Sequence, residues 1–354
     1  MIEDHENKVA IFSDLHIGIH NNSSEWHAIA LEWVKWFKEK LIEYDIKTVF
    51  FLGDFFHDRA SIDVATLSVG LSIINELKRF KIIMIPGNHD CYFKDNCSVH
   101  SLSMFRHCNN VKIYDKEIGY EEFGDKIIAL YPWGCNNIVP ADISMGHFEV
   151  ETFRVTYAHT CEKGLKIQDL IDKAPLTLSG HFHLKDTREY TNSKKEKSKI
   201  VYVGNTFQMN FGDEGDIKGF HILDKNSSLT FIANDKSPRY FKLNLSDIIK
   251  NDGLEPLKYV LKENFIKILI DRNISNESLN ILTHTINKYA PRCVQIDYDI
   301  NFGINLNSNE KLDLGGIEIE QAIKEFVNLL DINNKSEVTN QTINLYKSSL
   351  NEEY

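Results

Sequence analysis

Long apolar runs are missing from this sequence. No stretch approaches the ~18 consecutive apolar residues that a membrane-spanning helix needs, so we expect no membrane span. The N-terminal segment MIEDHENKVAIF lacks the basic and apolar segments of a secretory signal, and we expect no such signal. The six cysteines include no CxxC pair, which predicts reduced, mostly buried thiols in a cytoplasmic protein.

Positive charge is also scarce. The chain has 40 Lys and Arg against 51 Asp and Glu, a formal net charge of −11. Taken alone, this balance argues against a nucleic-acid-binding protein. Residues 301–354 hold four Lys and nine Asp or Glu, so nearly half of the acidic excess lies in the C-terminal segment. The charge therefore does not exclude DNA, but it predicts that this chain alone binds DNA weakly, through local basic residues and metal ions.

The first 235 residues alternate between strand-like and helix-like patterns. Residues 8–13, 47–52 and 81–85 are apolar runs that predict buried strands. Helical periodicity fills the intervals, from about 24 to 44 and from 62 to 79. The alternation predicts an α/β fold of βαβ units with helices over both faces of a sheet. Further strands are expected at 111–114, 126–131, 142–146, 176–179 and 200–203.

The pattern changes near residue 236. Residues 265–270, 275–289 and 293–298 predict a strand, a helix and a strand, which is enough for a small second domain. A polar segment rich in Gly and Asn follows and predicts a linker, with two short amphipathic helices after it. We therefore divide the chain into a domain of residues 1–235, a small domain of residues 236–302, a linker of residues 303–316 and C-terminal helices in residues 317–354.

Polar residues follow several of the apolar strands directly. Because ligands bind at the carboxyl ends of strands in α/β sheets, we expect these residues to share one pocket. Their side chains offer carboxylate oxygen, imidazole nitrogen or amide oxygen, which suits Mn²⁺, Fe²⁺ or Zn²⁺. The candidate ligands are Asp14, His16, Asp54, Asn88, His147, His181 and His183.

Seven ligands are too many for one ion that keeps an open position. They suit two ions ~3.5–4 Å apart that share a carboxylate and clamp a phosphate between them. Asp54, in the tight turn after Gly53, is the natural bridging ligand. His159 also ends a strand-like run and competes with His147 as a ligand, but we prefer His147 because Gly146 precedes it.

The order of these motifs resembles that of the calcineurin-like metallophosphoesterases. The motifs are D-x-H at 14–16, G-D at 53–54, G-N-H-D at 87–90, G-H at 146–147 and G-H-x-H at 180–183. The resemblance implies an α/β (α+β) fold, a two-sheet sandwich flanked by helices, with a small α/β capping domain and C-terminal helices. This expectation replaces the single sheet that alternation alone predicts.

Within that superfamily the chain is similar to the SbcD-type DNA double-strand-break-repair nucleases. The similarity lies in His57, three residues after Asp54, and in Tyr202-x-Gly204-Asn205 after the G-H-x-H motif. The C-terminal part resembles the recombination endonuclease subunits of T-even-like bacteriophages, in which two helices bind an SMC-like coiled-coil ATPase. The resemblance implies a Mn²⁺-dependent DNA nuclease of repair, recombination and replication. It would act as a 3′–5′ exonuclease on duplex DNA and as an endonuclease on single strands.

The same resemblance implies roles for single residues. One ion would be held by Asp14, His16, Asp54 and His183, and the other by Asp54, Asn88, His147 and His181. His89 would protonate the leaving 3′ oxygen, with Asp90 beside it, and His57 would help to place the scissile phosphate. Two Mn²⁺ are the expected cofactors, with Mg²⁺ or another divalent ion as alternatives.

Several surface features have two readings. The basic residues Lys185, Arg188, Lys194, Lys195, Lys197 and Lys199 either contact the DNA backbone or lie on a solvated hairpin. The family resemblance implies a homodimer face formed by residues 62–79 and 98–107, and the alternative is that these residues pack on the sandwich. The C-terminal apolar residues Ile319, Ile323, Phe326, Leu330, Val338 and Leu345 either bind the ATPase or fold back onto the capping domain.

Two other functions compete with the nuclease. The same two ions would serve a phosphoesterase acting on a small molecule or a phosphoprotein. A chain with a decayed site would only bind DNA or the ATPase as a scaffold. All seven candidate ligands are chemically competent, which argues against decay.

Overall fold

A computed structural model describes residues 7–250, 253–298, 323–324, 326–328 and 334–351. The chain divides into two compact units, Met1–Phe241 and Lys242–Tyr354. The strands are β1 (Lys8–Phe12), β2 (Thr48–Phe51), β3 (Lys81–Met84), β4 (Val111–Ile113), β5 (Gly119–Phe123), β6 (Lys126–Tyr131), β7 (Ile143–Gly146), β8 (Leu176–Ser179), β9 (Asp186–Thr191), β10 (Lys197–Tyr202), β11 (Gly219–Asp224), β12 (Leu229–Ala233), β13 (Tyr240–Asn244), β14 (Phe265–Ile270) and β15 (Cys293–Tyr298). The helices are α1 (Ile19–Asn22), α2 (Ser24–Glu43), α3 (Val64–Glu76), α4 (Ile167–Ile171), α5 (Leu245–Lys250), α6 (Lys258–Leu261), α7 (Asn276–Asn287) and α8 (Lys335–Asn351).

Two six-stranded mixed sheets build the first unit. The first sheet has the order β12-β11-β1-β2-β3-β4, and the second has the order β5-β6-β7-β8-β10-β9. Strands β1, β2, β3 and β4 are parallel to one another, as are β6, β7, β8 and β10. The antiparallel pairs are β1 with β11, β11 with β12, β5 with β6 and β9 with β10. All strands that precede a candidate ligand lie in the parallel parts.

The two sheets face each other across one apolar core. Ile11 and Phe50 of the first sheet join Leu130, Met145 and Leu178 of the second in a single buried cluster. Alternate residues of a strand point to opposite faces of the sheet, so β1 contributes Val9 and Ile11 to this core while Phe12 points outward. The two-sheet fold expected from the motif order is confirmed.

Helices cover the outer faces. Helix α2 packs Trp33 and Phe37 against Phe12, with ring centroids 5.1 and 5.0 Å apart. Leu170 of α4 is buried in a second apolar cluster with Tyr131 and Tyr202 of the second sheet. Asp63 caps α3 by accepting a hydrogen bond from the backbone N–H of Ala65 at 2.8 Å, which explains why that helix begins at Val64.

The second unit, taken by itself, contains the strands and helix that its sequence predicts. Strands β14 and β15 are parallel and occupy the ranges expected for them, 265–270 and 293–298. Helix α7 lies between them in sequence and begins at a Ser275 cap whose hydroxyl accepts a hydrogen bond from the N–H of Ser278. This is a strand–helix–strand crossover between parallel neighbours.

Part of the C-terminal prediction lies outside the described residues, namely the linker 303–316 and the residues Ile319 and Leu330. Of the rest, Ile323 and Val338 are half-buried, and Phe326 and Leu345 are 43% and 71% exposed. Among the described residues, no helix has the length and apolarity that crossing a bilayer requires.

The expectation for the cysteines is wrong in two respects. Cys91 and Cys97 form a disulfide, with their Cα atoms 5.0 Å apart. The CxxC pattern does not reveal this disulfide, because its two cysteines are six positions apart in the sequence. The expectation of mostly buried thiols also fails, since Cys108, Cys135 and Cys161 are half-buried and Cys293 is exposed.

Candidate metal centre

The candidate ligands lie where strands of the two sheets end. Asp14 and Asp54 follow β1 and β2 of the first sheet, while His147 and His181 follow β7 and β8 of the second. Because parallel strands present their carboxyl ends at one edge and the sheets face each other, the two groups of side chains meet. The structure thus brings all seven candidate ligands together.

One cluster contains Asp14, His16 and His183. The Nε2 atoms of the two histidines are 3.0 Å apart, and they lie 3.9 and 3.8 Å from Oδ1 of Asp14. Asp14 and His16 are buried, and His183 is partly exposed. These three residues each offer a ligand atom within 4.8 Å of the others, which is the spacing of groups that share one ion.

A second cluster contains Asp54, Asn88, His147 and His181. Oδ1 of Asn88 lies 3.0 Å from Nε2 of His147 and 2.8 Å from Nδ1 of His181. Asp54 belongs to both clusters, because its Oδ2 lies 3.3 Å from Nε2 of His147 and 3.6 Å from Nε2 of His16. This central position is the one that a bridging carboxylate requires.

Hydrogen bonds on the far side of two histidine rings fix the atoms that face the second cluster. Nδ1–H of His147 donates to the carbonyl oxygen of Leu52 at 2.6 Å, and Nε2–H of His181 donates to Glu149 at 3.2 Å. Each neutral ring therefore turns a lone pair toward Asn88 and Asp54, which are acceptors themselves. Two imidazole nitrogens, one amide oxygen and one carboxylate oxygen therefore point lone pairs at the same space with no proton between them. A cation in that space would accept all four electron pairs. The donor set thus fits a divalent metal.

The electrostatics of the second cluster favour positive charge. Burial opposes a charge on His147, but the adjacent Asp54 carboxylate outweighs it and raises the pKa of His147 to about 9. Burial likewise opposes the charge on Asp54, but His147 and His16 hold the pKa of that carboxyl below its usual range. The pair stabilises positive charge at the centre of the site.

Four candidate ligands have a left-handed backbone. The φ angles of Asp14, His16, Asp54 and His181 are 55, 47, 61 and 85°. Non-glycine residues rarely adopt this region, and each such residue costs on the order of 1–3 kcal/mol. The fold stabilises these conformations with tertiary contacts, as active sites commonly do.

Two glycines allow the strand ends to approach. A Cβ atom on Gly53, whose φ is +99°, would lie 2.5 Å from Nδ1 of His147. A Cβ atom on Gly180 would lie 2.1 Å from Oγ of Ser13 and 2.6 Å from the carbonyl oxygen of Leu52. Any larger residue at either position would push the two sheets apart at the metal centre.

His57 and His89 lie over the first cluster. The ring centroid of His89 is 4.8 Å from that of His16 and 5.4 Å from that of His57. Nδ1–H of His89 donates to the backbone oxygen of His57 at 2.5 Å, so Nε2 remains available at the site. The backbone N–H of His89 also donates to Oδ1 of Asp54 at 2.8 Å, which ties its position to the bridging carboxylate.

Asp90 is surrounded by backbone N–H groups, whereas a catalytic carboxylate is expected to face the metal centre. Its buried oxygens accept hydrogen bonds from the backbone N–H groups of Asp54, Phe55, Phe56 and Gly87, at 2.8 to 3.2 Å. The carboxylate therefore holds the loop that carries Asp54 rather than facing the two clusters.

His159 lies apart from the clusters. It is exposed, and Nδ1 of its ring lies 3.2 Å from the Thr156 hydroxyl. The structure thus brings His147, the preferred residue of the two, into the second cluster.

The basic residues of 185–199 lie on and beside the β9–β10 hairpin. Lys185 lies over the ring of Phe231, 3.4 Å from its centroid, and Arg188 pairs with Asp186 at 2.9 Å, so both are engaged in the fold. Lys194, Lys195 and Lys197 are exposed around the hairpin turn.

Three residues of the site have no counterpart in the sequence prediction. Glu149 orients His181, and Trp133 lies with its ring centroid 5.2 Å from that of His181. Lys218 is buried and donates to the backbone oxygen of His183 at 2.9 Å. Glu149 could have been found by its position two residues after His147. Trp133 likewise follows strand β6, but an aromatic side chain at a strand end is not a metal ligand and gives no signal of that kind.

Two facing mixed sheets with buried His/Asp clusters at their common edge define a metallophosphoesterase. A family model described as calcineurin-like phosphoesterase matches residues 7–185, half of the chain. The chain belongs to the calcineurin-like phosphoesterases, and the resemblance of its motif order is confirmed. A distant homologue is exonuclease subunit 1 of Enterobacteria phage T4, 27% identical over 245 residues, which cover 64% of this chain and 68% of that protein.

Two solved structures are similar in part. Purple acid phosphatase PPD1 from yellow lupin (Lupinus luteus) seeds is 15% identical over 65% of this chain, with a TM-score of 0.43. This chain covers 52% of that enzyme, about half of its length. Nuclease MPE of Pseudomonas putida is also 15% identical, over 60% of this chain and 83% of its own, with a TM-score of 0.30.

Proposed function

We propose that this protein is a Mn²⁺-dependent DNA nuclease, a 3′–5′ exonuclease on duplex DNA and an endonuclease on single strands. The observation that carries the proposal is the centre of two His/Asp clusters joined by Asp54, in a chain whose relative is an exonuclease subunit. The imidazole, carboxylate and amide ligands suit Mn²⁺. The same relative supports a role as the nuclease subunit of a repair and recombination complex.

The surroundings of the centre favour a phosphodiester over a phosphomonoester. A cavity of about 370 Å³ is lined by His147 and Trp133, among other residues. A second cavity, of about 220 Å³, is lined by His181, His183 and Tyr157, among others. A phosphodiester carries a substituent on each side of its phosphorus, whereas a phosphomonoester has only one. Two cavities that border different ligands of the centre therefore fit the two substituents of a phosphodiester in a nucleic-acid strand.

The proposed ligands form two sets that share Asp54. Asp14, His16, Asp54 and His183 would hold one ion, and Asp54, Asn88, His147 and His181 would hold the other. When bound, the two ions supply Lewis-acid stabilisation of the phosphoryl oxygens and lower the pKa of a water that attacks phosphorus. The residues of the chain keep the ligands in place: Leu52 and Glu149 orient two of the rings through hydrogen bonds.

His89 is the proposed general acid. When its ring is protonated, Nδ1–H is held by the backbone oxygen of His57, and Nε2–H remains free to donate. As the P–O3′ bond breaks, its electron pair stays on the 3′ oxygen, and that oxygen takes the proton from Nε2. His57, whose ring stacks on that of His89, would help to place the phosphate.

The leaving group provides the test of this role. His89→Asn should cut duplex DNA about 10²–10⁴-fold more slowly with Mn²⁺, because a 3′ alkoxide needs a proton. On a p-nitrophenyl phosphodiester the loss should be much smaller, because nitrophenolate leaves without one. His284→Asn, at an exposed histidine of α7 outside the clusters, is the matched control and should match the wild type. Equal losses on both substrates would contradict the acid role.

The alternatives give different results in the same assays. A phosphoesterase for small molecules or phosphoproteins would turn over a phosphomonoester well and leave DNA intact. A scaffold would bind no metal in folded protein, by elemental analysis. A 3′-labelled duplex that releases its label first as a mononucleotide supports the proposed polarity, and release from the 5′ end first contradicts it.

The proposed partners are DNA, an SMC-like ATPase and a second copy of the chain. Residues Lys194, Lys195 and Lys197 are exposed and suit contacts with phosphates, while Lys185, Arg188 and Lys199 have partners within the chain. The exposed apolar residues Phe326 and Leu345 support docking of the ATPase on residues 317–354. Residues 62–79 and 98–107 are the proposed homodimer face.

A further inference from the structure

A cavity beside the second cluster has no role in holding metal. Its volume is about 370 Å³, and its walls include Lys94, Asp95, Trp133, Asn136, His147 and Glu149. His147 is a wall of this cavity and a member of the cluster, so the cavity opens directly onto the metal centre. Binding sites for small ligands begin at about 300 Å³, so it is large enough for one nucleoside-sized group.

Trp133 presents an aromatic face in a fixed orientation. Its indole N–H donates to the backbone oxygen of Lys94 at 2.7 Å, and its backbone N–H donates to Pro86 at 3.0 Å. Its ring lies 5.2 Å from that of His181 and 5.9 Å from that of His147. The side chain remains partly exposed. An indole that is oriented before any ligand arrives loses little entropy when a flat ring stacks on it.

The charges around the cavity exclude a second phosphate. Glu149 and Asp95 would repel an anion, and Lys94 is the single Lys or Arg among the six wall residues named above. Together with Asn136 they offer both hydrogen-bond donors and acceptors. A neutral heterocycle with polar edges matches this combination of an aromatic face and mixed polar groups. A nucleobase is such a group.

We propose that this cavity binds the base of the 3′-terminal nucleotide, stacked on Trp133, while its 5′ phosphate lies at the metal centre. The inference rests on the proposed nuclease function and deepens it. The ring of His89 lies 4.8 Å from that of His16 in the first cluster, and the ring of Trp133 lies 5.9 Å from that of His147 in the second cluster. The strand that keeps the 3′ oxygen therefore lies on the His89 side, and the nucleotide that is released lies on the Trp133 side.

This geometry implies a preference for nucleotides whose base is unstacked. A base in the cavity cannot also stack in the duplex, so the terminal pair must open before cleavage. Every base has a π face, so the cavity discriminates weakly among the four bases. A nucleotide without a base would lose the stacking contact altogether.

Two phosphodiesters with the same leaving group test the proposal. Thymidine 5′-(p-nitrophenyl phosphate) carries the base, and methyl p-nitrophenyl phosphate does not. Stacking on an aromatic side chain contributes about 1–3 kcal/mol per base, so Trp133→Ala should lower kcat/KM for the thymidine ester by roughly 5- to 150-fold. The loss on the methyl ester should be much smaller, because that ester has no base to stack on Trp133, and Trp133→Phe should keep most of the activity on both.

An abasic 3′ end provides a second arm on duplex DNA. Removing the terminal base should slow the wild-type exonuclease as much as Trp133→Ala slows it on normal DNA, and it should cost the variant nothing further. Equal losses of Trp133→Ala on both small esters would overturn the proposal, because Trp133 would then support the metal centre instead. The same discrimination against abasic ends in variant and wild type would also overturn it.

Failure of the nuclease function itself would look different. Wild-type protein that hydrolyses the methyl ester but neither the thymidine ester nor DNA would refute the nuclease and with it the base cavity. Wild-type protein that cuts DNA at the same rate with and without a terminal base would refute the cavity alone.

Discussion

At the scale of the residue, a buried carboxylate organises the turn that holds the bridging ligand. The carboxylate of Asp90 accepts hydrogen bonds from the Ser101 hydroxyl and from four backbone N–H groups, those of Asp54, Phe55, Phe56 and Gly87. The two carboxylate oxygens together accept five hydrogen bonds from this loop and its surroundings. Asp90 is therefore a positioning residue in our proposal, and its effect on the reaction passes through Asp54.

Replacing Asp90 by Asn tests that assignment. The amide NH₂ would face backbone N–H donors, leaving buried groups unpaired at about 1–3 kcal/mol each. We expect a lower free energy of unfolding in urea and metal binding weakened by about 10–100-fold in calorimetric titration. Asp125→Asn is the control, since that side chain is 89% exposed and pairs only with Lys126 among the described residues.

The outcome separates positioning from catalysis. If Asp90→Asn kept wild-type stability and metal affinity but lost nuclease activity, the catalytic role expected from the sequence would be favoured. Loss of all three together supports the positioning role.

At the scale of the element, strand β11 carries a buried histidine that makes its sheet sensitive to acid. His221 pairs in register with Ile11 of β1, and its Nδ1 has no hydrogen-bond partner among the described residues. Burial, and then the ammonium of Lys185, lower the pKa of His221 to about 4 from an ordinary value of 6.5. Between these two pKa values, the imidazole of His221 is protonated in the unfolded chain and neutral in the folded chain.

This difference predicts a loss of stability on acidification. Between pH 6.5 and about 4 the unfolded state takes up the proton first, so the free energy of unfolding falls as the pH falls. His221→Leu cannot bind the proton, so its stability should fall by about 3 kcal/mol less than that of the wild type over this window. Urea denaturation at a series of pH values measures the difference. The exposed His107→Leu should follow the wild-type profile; if His221→Leu did so too, His221 would not be the acid-sensitive group.

The sequence predicts some elements of this fold well, and the reasons are physical. β6 matches its predicted range because a central strand buried on both faces is a continuous apolar run, here the residues after Lys126. β8, with the sequence LTLS, also matches its predicted range. The edge strand β9, with the sequence DTREYT, alternates between half-buried and exposed residues and was expected as a loop or solvated hairpin. Edge strands bury one face at most, so their composition differs little from that of a loop.

The candidate site divides in the same way. The seven candidate ligands are visible because each follows an apolar strand in a recognisable order. The positions of the Asp90 and Trp133 side chains cannot be predicted from the sequence, because they depend on which backbone groups the fold brings within hydrogen-bond distance. The Cys91–Cys97 disulfide likewise depends on a loop conformation that residue spacing does not specify.

At the scale of the whole molecule, the metal centre and the proposed partner site belong to different units. All seven candidate ligands precede residue 241, and Phe326 and Leu345 follow it. We expect deletion of residues 317–354 to abolish binding of the SMC-like ATPase and to leave metal content unchanged. Loss of metal from the truncated protein would show that the tail belongs to the core fold.

Point variants sharpen this experiment. Phe326→Asp and Leu345→Asp should each abolish co-purification with the ATPase, because the exposed apolar side chains would no longer bury surface against it. Tyr259→Asp is the matched control, since Tyr259 is 82% exposed but lies outside the tail. Loss of binding in the control as well would place the contact elsewhere.

The sharing of ligands between the sheets has a mechanical consequence. In the proposed arrangement each ion takes ligands from both layers: Asp14 and His16 with His183 in one case, and Asp54 and Asn88 with His147 and His181 in the other. Sliding one layer past the other would require breaking coordination bonds as well as separating apolar surface. The loaded protein should therefore resist unfolding under force, as in an optical trap, far longer than the same protein in a chelator. Cleavage and mechanical durability would then depend on the same two ions.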